Sequence, residues 1–559
     1  MADVRIYMKL KRIFSIFTAC VMVTASFSGC GKTTATSASS QASAVSSQKS
    51  STSDAEQKYS DSSVLFSKNT VYNDDTASDD SGIFSTSYDT FTIDDIEGVI
   101  FGKDASPQAS PNLRSALKDY NTSVKRLNAS SFRTLKKQAD PEYKKHKKNW
   151  NYSSYSDQIT SSVMRADDDI LSIYTTDVFY ANGAHPSTTF SAFNYDLKTG
   201  RKITLSNLFS NKKELAAALA DDLKSQYPNV TFAADSSENG GTLKGNILNL
   251  LKDNGSDGAV AFYMTPTGVS FTFAPYALAS YAAGSFKVEY SYDSGALTGN
   301  FNSKYAGPGT LKGKFIQLFP GDSRNFTENQ DKVYNISIAE EPSKDTTLDD
   351  PSDYDVTVKF NGKKNKSTIH SFENDYYLAE TKGGKYYLFV GTHEENDLQS
   401  IYIYDLNGSR INDPDEFEDG FYDSVPTNTD GFSAGIRSDT MSTYTTMGYF
   451  TVSDGELKAK SKWFAAKEAN LNALTLKKDM TFKTASDTSA SPEKLSFKDE
   501  KLTAGTKLQF LRTDNNKTTD LITDDDQIIR VTIDSKDKYP QTINGKSIED
   551  IFKGIVFAG

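Results

Sequence analysis

The chain has 559 residues, with 62 Lys and Arg against 73 Asp and Glu, for a formal charge of −11. That length is a prior for three or four domains, and the acidic balance argues against nucleic acid as the main partner. Two Cys exclude a disulfide scaffold and a Cys-based zinc cluster, while 30 Tyr and 34 Phe exclude a disordered chain and suit β-rich structure.

The first elements are an address. Lys9, Lys11 and Arg12 precede an apolar run from Ile13 to Phe27. At about fifteen residues it is shorter than the ~20 that a spanning helix needs. It ends in Phe27-Ser28-Gly29-Cys30, small residues before a Cys, which is the pattern of a bacterial lipobox with Phe27 in the usual place of Leu. Residues 1–29 are expected to be a lipoprotein signal peptide, with Cys30 carrying a diacylglyceryl, palmitate-type anchor on the outer face of the cell membrane. A P-loop read from Gly31-Lys32-Thr33 fails, because position 26 is Ser and no buried strand or helix flanks it. Residues 30–83 are expected to be a Ser/Thr-rich flexible tether, too polar to offset the entropy of ordering. About fifty residues of such coil reach on the order of 40 Å, into the wall zone.

Residues 84–305 read as one α+β domain, a mixed sheet with packed helices. Leu113, Leu117, Tyr120, Val124 and Leu127 recur at helical spacing after Pro111. A Lys-rich stretch from Lys136 to Lys148 follows. Ile170 to Tyr180 and Thr189 to Tyr195 read as strands, and Asp196 to Gly200 as a turn. Ser210 is the expected N-cap of a helix holding Leu215, Leu219, Leu223 and Tyr227, stopped by Pro228. A shorter helix holds Ile247 to Leu251. Ala259 to Met264, Val269 to Phe273 and Phe286 to Tyr290 read as strands.

Residues 306–465 read as a β-rich domain, with a three-stranded meander at Tyr376 to Glu380, Tyr386 to Val390 and Ile401 to Asp405. Residues 466–559 read as a small β domain of SH3-like barrel type, with strands at Leu508 to Leu511 and Ile528 to Ile533 and a final helical turn around Ile548 to Ile555. No repeat period supports a solenoid.

One stretch carries a resemblance. Asp177-Val178-Phe179-Tyr180-Ala181-Asn182-Gly183-Ala184-His185-Pro186 is followed by Phe193 to Gly200 and Ile203-Thr204-Leu205, and later by Phe273-Ala274-Pro275-Tyr276-Ala277-Leu278-Ala279. Together these resemble the exported domain shared by the lysozyme-sensing anti-sigma-V factor and the region that precedes the catalytic domain of peptidoglycan deacetylases. The match covers about residues 84–295. It implies a wall-facing location and a glycan or lysozyme-like ligand, with Tyr180, Asn182, Gly183, Ala184, His185 and Pro186 as ligand-contacting residues. The family usually has Gly where Asn182 stands, and Asn tolerates the left-handed backbone that the turn needs. The anti-sigma factor's cytosolic segment and spanning helix have no counterpart here, nor does the deacetylase His-x-x-x-His ligand pair.

The remaining chemistry is thin. His185 is the most interesting histidine, either as a ligand-contacting or catalytic imidazole or as a tie from the turn to a backbone carbonyl. Gly431-Phe432-Ser433-Ala434-Gly435 has nucleophile-elbow spacing, but its flanks are polar and the last His, His393, precedes it. Asp349, Asp350, Asp353 and Asp355, like Asp413, Asp415, Glu418 and Asp419, lack calcium-loop spacing and read as solvated acidic loops. Asp524 to Asp526 reads as a hairpin tip. The Lys136–Lys148 cluster suits anionic wall polymer, lipid headgroups or a solvated helix face, and Trp150 suits stacking on sugars. The expectation is a lipid-anchored binding or sensor protein of the Gram-positive type of envelope, with no catalysis, metal or cofactor of its own. It would meet the membrane through its lipid, and peptidoglycan or a lysozyme-like protein outside. A wall hydrolase or deacetylase and a non-catalytic scaffold are the alternatives.

Overall fold

A computed structural model describes residues 60–77, 82–232, 241–252, 258–297, 299–321, 323–328, 332–344, 353–394, 398–467 and 473–558. Cys30, the signal segment and the first half of the expected tether lie outside the described residues, as do Asp349 and Asp350. The second half of the expected tether is structured: β1 (Leu65–Thr76) pairs antiparallel along β2 (Gly82–Asp94). Val64, Leu65 and Phe66 are the reason, because all three are buried and anchor the strand to the core.

β1 and β2 belong to a seven-stranded mixed sheet. β2 runs parallel to β3 (Tyr155–Ala166), and β4 (Ile170–Ala181), β5 (Ser187–Asp196) and β6 (Arg201–Lys202) follow as an antiparallel meander. After a one-and-a-half-turn helix α1 (Ile96–Phe101), the parallel crossover is made by α2 (Pro111–His146), which is 36 residues long. Ser110 caps α2 by accepting from the Leu113 N–H, and Pro111 sits at the first helical position, where no donor is needed. Leu113, Leu117, Tyr120 and Val124 are buried against Phe91, Ile159, Leu171 and Ile173, as their spacing predicts. Leu127 is the exception; it faces solvent at 40% exposure. The helix turns Asn128 inward instead, where the amide accepts from Asn73 and Thr86.

A second core covers the other side. The short α3 (Leu205–Leu208), α4 (Lys212–Gln226) and α5 (Leu243–Leu250) pack with a three-stranded antiparallel sheet, β7 (Val260–Met264), β8 (Gly268–Phe273) and β9 (Phe286–Ser291). The cap of α4 is Asn211, which accepts from Lys213 and Glu214, and not the expected Ser210; Ser210 instead bonds to Asn300. A buried pair joins the two sheets. Ser172 on β4 donates to Asn194 on β5 at 2.6 Å and accepts from the Met264 N–H, while Asn194 donates to the Phe262 carbonyl.

The C-terminal half is β-rich. The expected meander is present within a five-stranded antiparallel sheet, beside a four-stranded sheet over residues 323–370. Strands from 432 to 466 continue into the strands of 474–553 as one network, because Phe464–Ala466 pairs with both Tyr444–Ser453 and Lys507–Thr513. The chain as a whole is mixed α/β with a β-dominated C-terminal half. That half also completes the first sheet, since Ser424 and Val425 pair with Ser67 and Phe66 of β1. Next to this junction Asp375 accepts from Gln317 at 3.0 Å and lies 3.6 Å from His393. Burial opposes its charge, yet Lys68 of β1 and His393 outweigh it and hold the carboxyl below its ordinary range.

Candidate functional site

The β4–β5 turn and the turn after β8 come together, although they lie about ninety residues apart in sequence. Asn182 opens the first turn at φ 55, the left-handed region its side chain tolerates, and its N–H bonds to the Ser154 carbonyl at 2.6 Å. The Tyr180 hydroxyl donates to the Gly183 carbonyl at 3.2 Å. Asn182, Gly183 and Ala184 are exposed, and Tyr180, His185 and Pro186 are half-buried. At His185, Nδ1 lies 2.9 Å from the Pro186 carbonyl, which can only accept. Nδ1 therefore donates, and Nε2 lies 2.9 Å from the Tyr276 hydroxyl. The ring ties the turn to a backbone carbonyl, and its other nitrogen meets a side chain of the same chain.

Tyr276 is the unusual residue. The Ala277 N–H returns to the Ala274 carbonyl at 3.0 Å, closing a turn with Pro275 at its second position and Tyr276 at its third. Tyr276 has φ 70, the conformation that a type II turn reserves for Gly or Asn. A bulky residue held there costs about 1–2 kcal/mol. It is also 61% exposed, so burial does not offset that cost. What holds it is the bond to His185 and a cluster of rings. Tyr281 stacks flat on the imidazole, with centroids 3.6 Å apart and planes 17° apart, and Tyr276 lies 5.4 Å from Tyr281. Burial, then the neighbouring Tyr276, push the Tyr281 phenol up, so it stays neutral. The result is a partly exposed surface of three rings with hydrogen-bonding edges. Tyr281 was not singled out from the sequence; its signal was its place in the turn motif that follows β8.

Eight residues earlier on β4 lies a different arrangement. Asp157 on β3 and Asp177 on β4 are diagonal neighbours on the face beneath α2, since Asp157 pairs with Phe179 and Ile159 with Asp177. Asp157 has no exposed surface, and its carboxyl meets the Asp177 carboxyl and the Ser131 hydroxyl. Burial, then Asp177, push the Asp157 carboxyl up to about 9. The two carboxyls therefore share a proton at neutral pH. Sequence reading missed this pair, although the alternation Tyr155, Asp157, Ile159 places an acid on the inward face.

The other sequence candidates are absorbed by structure. Ser433 is buried within the strand Phe432–Ser438 and bonded to Ser424, not raised on a strand-to-helix turn. Its flanking glycines exist for packing, because a Cβ at Gly431 or Gly435 would collide with the Tyr449 hydroxyl or the Tyr422 ring. Asp353 pairs with His370 and Asp355 with Lys366. Asp413 accepts from Asn365 and Ser367, and Asp419 from the Arg437 N–H. Asp526 sits at a hairpin tip with φ 61. Lys136 is neutralised by Asp75, and Lys145 by Glu142. Trp150 stacks on Tyr155 and donates to the Ile83 carbonyl, so its ring serves the core.

No curated protein matches the chain. Among solved structures it is similar to a DUF3298 family member from Bacteroides fragilis, at 16% identity over 44% of this chain and 96% of that one, with a TM-score of 0.32. It is also similar to a DUF3298 family protein from Pseudomonas aeruginosa, at 13% identity over 44% and 97% of the two chains, with a TM-score of 0.25. The matching family model, described as a protein of unknown function, begins after His185 and includes Tyr276 and Tyr281, and residues 206–293 of this chain are accordingly a DUF3298 domain.

Proposed function

We propose that the protein is a lipid-anchored binding or sensor protein on the outer face of a bacterial cell membrane. In this reading it recognises cell-wall glycan, or a wall-acting protein such as lysozyme, at the His185–Tyr276–Tyr281 surface. The observation that carries the proposal is Tyr276, an exposed aromatic held in a costly backbone conformation without compensating burial. A sugar ring offers a face of C–H groups that packs on aromatic rings, and its hydroxyls suit the phenol edges of Tyr276 and Tyr281. The signal segment, Cys30 and the polar stretch after it support an exported, lipid-held location. The resemblance to the anti-sigma-V and deacetylase domain supports a wall setting. The strand order around Lys507–Thr513, Thr518–Ile522 and Ile528–Thr532 supports a small SH3-like barrel at the C-terminus.

The test is retention of the purified chain on peptidoglycan and, separately, on immobilised lysozyme, with the unbound phase assayed for cleaved or deacetylated product. Saturable retention without product, lost in Tyr276→Ala and Tyr281→Ala, is the expected result. A hydrolase or deacetylase would instead release product. Asp157–Asp177 would be one candidate acid–base pair for it, and the full burial of Asp157 favours binding over that use. A scaffold would give neither retention nor product.

A further inference from the structure

The opposite end of the seven-stranded sheet carries a second surface. β2 pairs with β3 only from Ser85 to Tyr88, whereas its pairing with β1 continues to Asp94. From Asp89 onward the β3 side of β2 has no strand beside it among the described residues. Side chains of α2 fill part of the gap. The Tyr120 hydroxyl donates to the Asp89 carbonyl at 3.0 Å. The Asn121 carboxamide donates to the Phe91 carbonyl at 2.8 Å and accepts from the Phe91 N–H at 3.0 Å. Asn121 thus makes the two bonds that a neighbouring strand would make. Strand alternation turns the N–H and C=O of Ile93 to the same side.

Beside this edge, between β2 and α2, runs an open groove of about 590 Å³. Its floor is apolar, with Phe91, Ile93 and Leu117, and its rim carries Arg114, Lys118 and Lys125. No acid lines it. The three cations are exposed, and none makes an ion pair within 4 Å among the described residues. In a chain of charge −11 this is a locally cationic strip, alongside backbone that lacks a partner strand.

We propose that this groove binds an extended acidic peptide segment of a partner protein, which adds to the edge of β2 as a further strand. Its backbone would replace the Asn121 carboxamide at Phe91 and continue to Ile93. Its acidic side chains would reach Arg114, Lys118 and Lys125, and alternate apolar side chains would lie on the floor. Period-2 alternation of acidic and apolar residues is the pattern that fits both features at once. A phosphate polymer would satisfy the cations but would have no use for the apolar floor or the strand edge.

The experiment is fluorescence anisotropy of a labelled alternating Asp–Val peptide titrated with the full chain. Saturable binding is expected, roughly tenfold weaker in Lys118→Glu or Lys125→Glu and unchanged in Lys144→Glu, which lies on the same helix beyond the groove. All three lysines are exposed, and circular dichroism verifies that each variant is folded. A version of the peptide with Pro in place of Val, which lacks those backbone donors, is expected not to bind. The proposal is overturned if the Asp–Val peptide does not saturate, if the Pro version binds equally, or if inorganic polyphosphate at equal charge displaces the peptide. It is also overturned if Lys144→Glu weakens binding as much as Lys118→Glu. The outcome is independent of the wall pull-down, because the groove and the Tyr276 surface share no residue.

Discussion

Asp177 and His185 lie eight residues apart on the same strand and its turn, and they meet opposite solutions. Asp177 faces inward beneath α2, where the two carboxyls keep a proton between them. His185 faces outward at the turn, where both ring nitrogens have hydrogen-bond partners. The first site stores its cost in desolvation and the second in backbone strain at Tyr276. Desolvation is a property of the closed core, whereas strain at an exposed turn serves a contact that the folded chain does not itself complete. This contrast is why the turn, and not the acid pair, is the better candidate for recognition.

The largest expected effect tests the acid side. Asp157 binds its proton more tightly folded than unfolded. The stability this adds is intact below about pH 4 and is lost as the pH climbs to about 9. Asp157→Asn supplies a neutral group of the same shape. Its unfolding free energy should exceed that of the parent at pH 8, on the order of a few kcal/mol, and the two should converge near pH 4. Parallel curves across that range would remove the shared proton from the account.

On the turn side, His185→Ala removes two hydrogen bonds and a stacked ring, for a loss of about 1–2 kcal/mol in denaturant unfolding together with loss of wall retention. Unchanged retention would detach the surface from the proposed function. A finer test compares two replacements of Tyr276. Gly is ordinarily less favourable than Ala, yet at φ 70 Tyr276→Gly should be about 1 kcal/mol more stable than Tyr276→Ala. Both should lose retention, and equal stability would deny the strain. Smallest of all, Asn182→Gly should shift stability by no more than about 0.5 kcal/mol, since Asn already occupies the left-handed region. A larger loss would mean that the Asn182 side chain has a partner role.

Much of the fold was readable from local chemistry. Pro111 with the four-and-three spacing of Leu113, Leu117, Tyr120 and Val124 marks α2, and the runs at 170–180 and 189–195 mark β4 and β5. The misreadings share a cause. Val64 to Phe66 is too short an apolar run to stand out from a Ser-rich stretch, and it becomes a strand because β2 and the core are there to receive it. Ser210 and Asn211 are both good caps, and the bond of Ser210 to Asn300, ninety residues away, decides between them. Within the candidate site, Asn182 to Pro186 was visible as a motif, whereas the contact with Tyr276 and Tyr281 was not.

Local sequence dictates what neighbours along the chain can settle: helix periodicity, caps, turns that need a left-handed residue, and the apolar segment before Cys30. Hydrogen bonds and dihedrals within a few residues carry that information. Tertiary structure alone decides which turns meet, which acid lies on a closed face, and which strand edge is left bare. Those outcomes depend on desolvation and on partners ten to a hundred residues away. Asp157 is an ordinary Asp in the sequence; β4 and α2, closing over it, make it a group that keeps its proton at neutral pH.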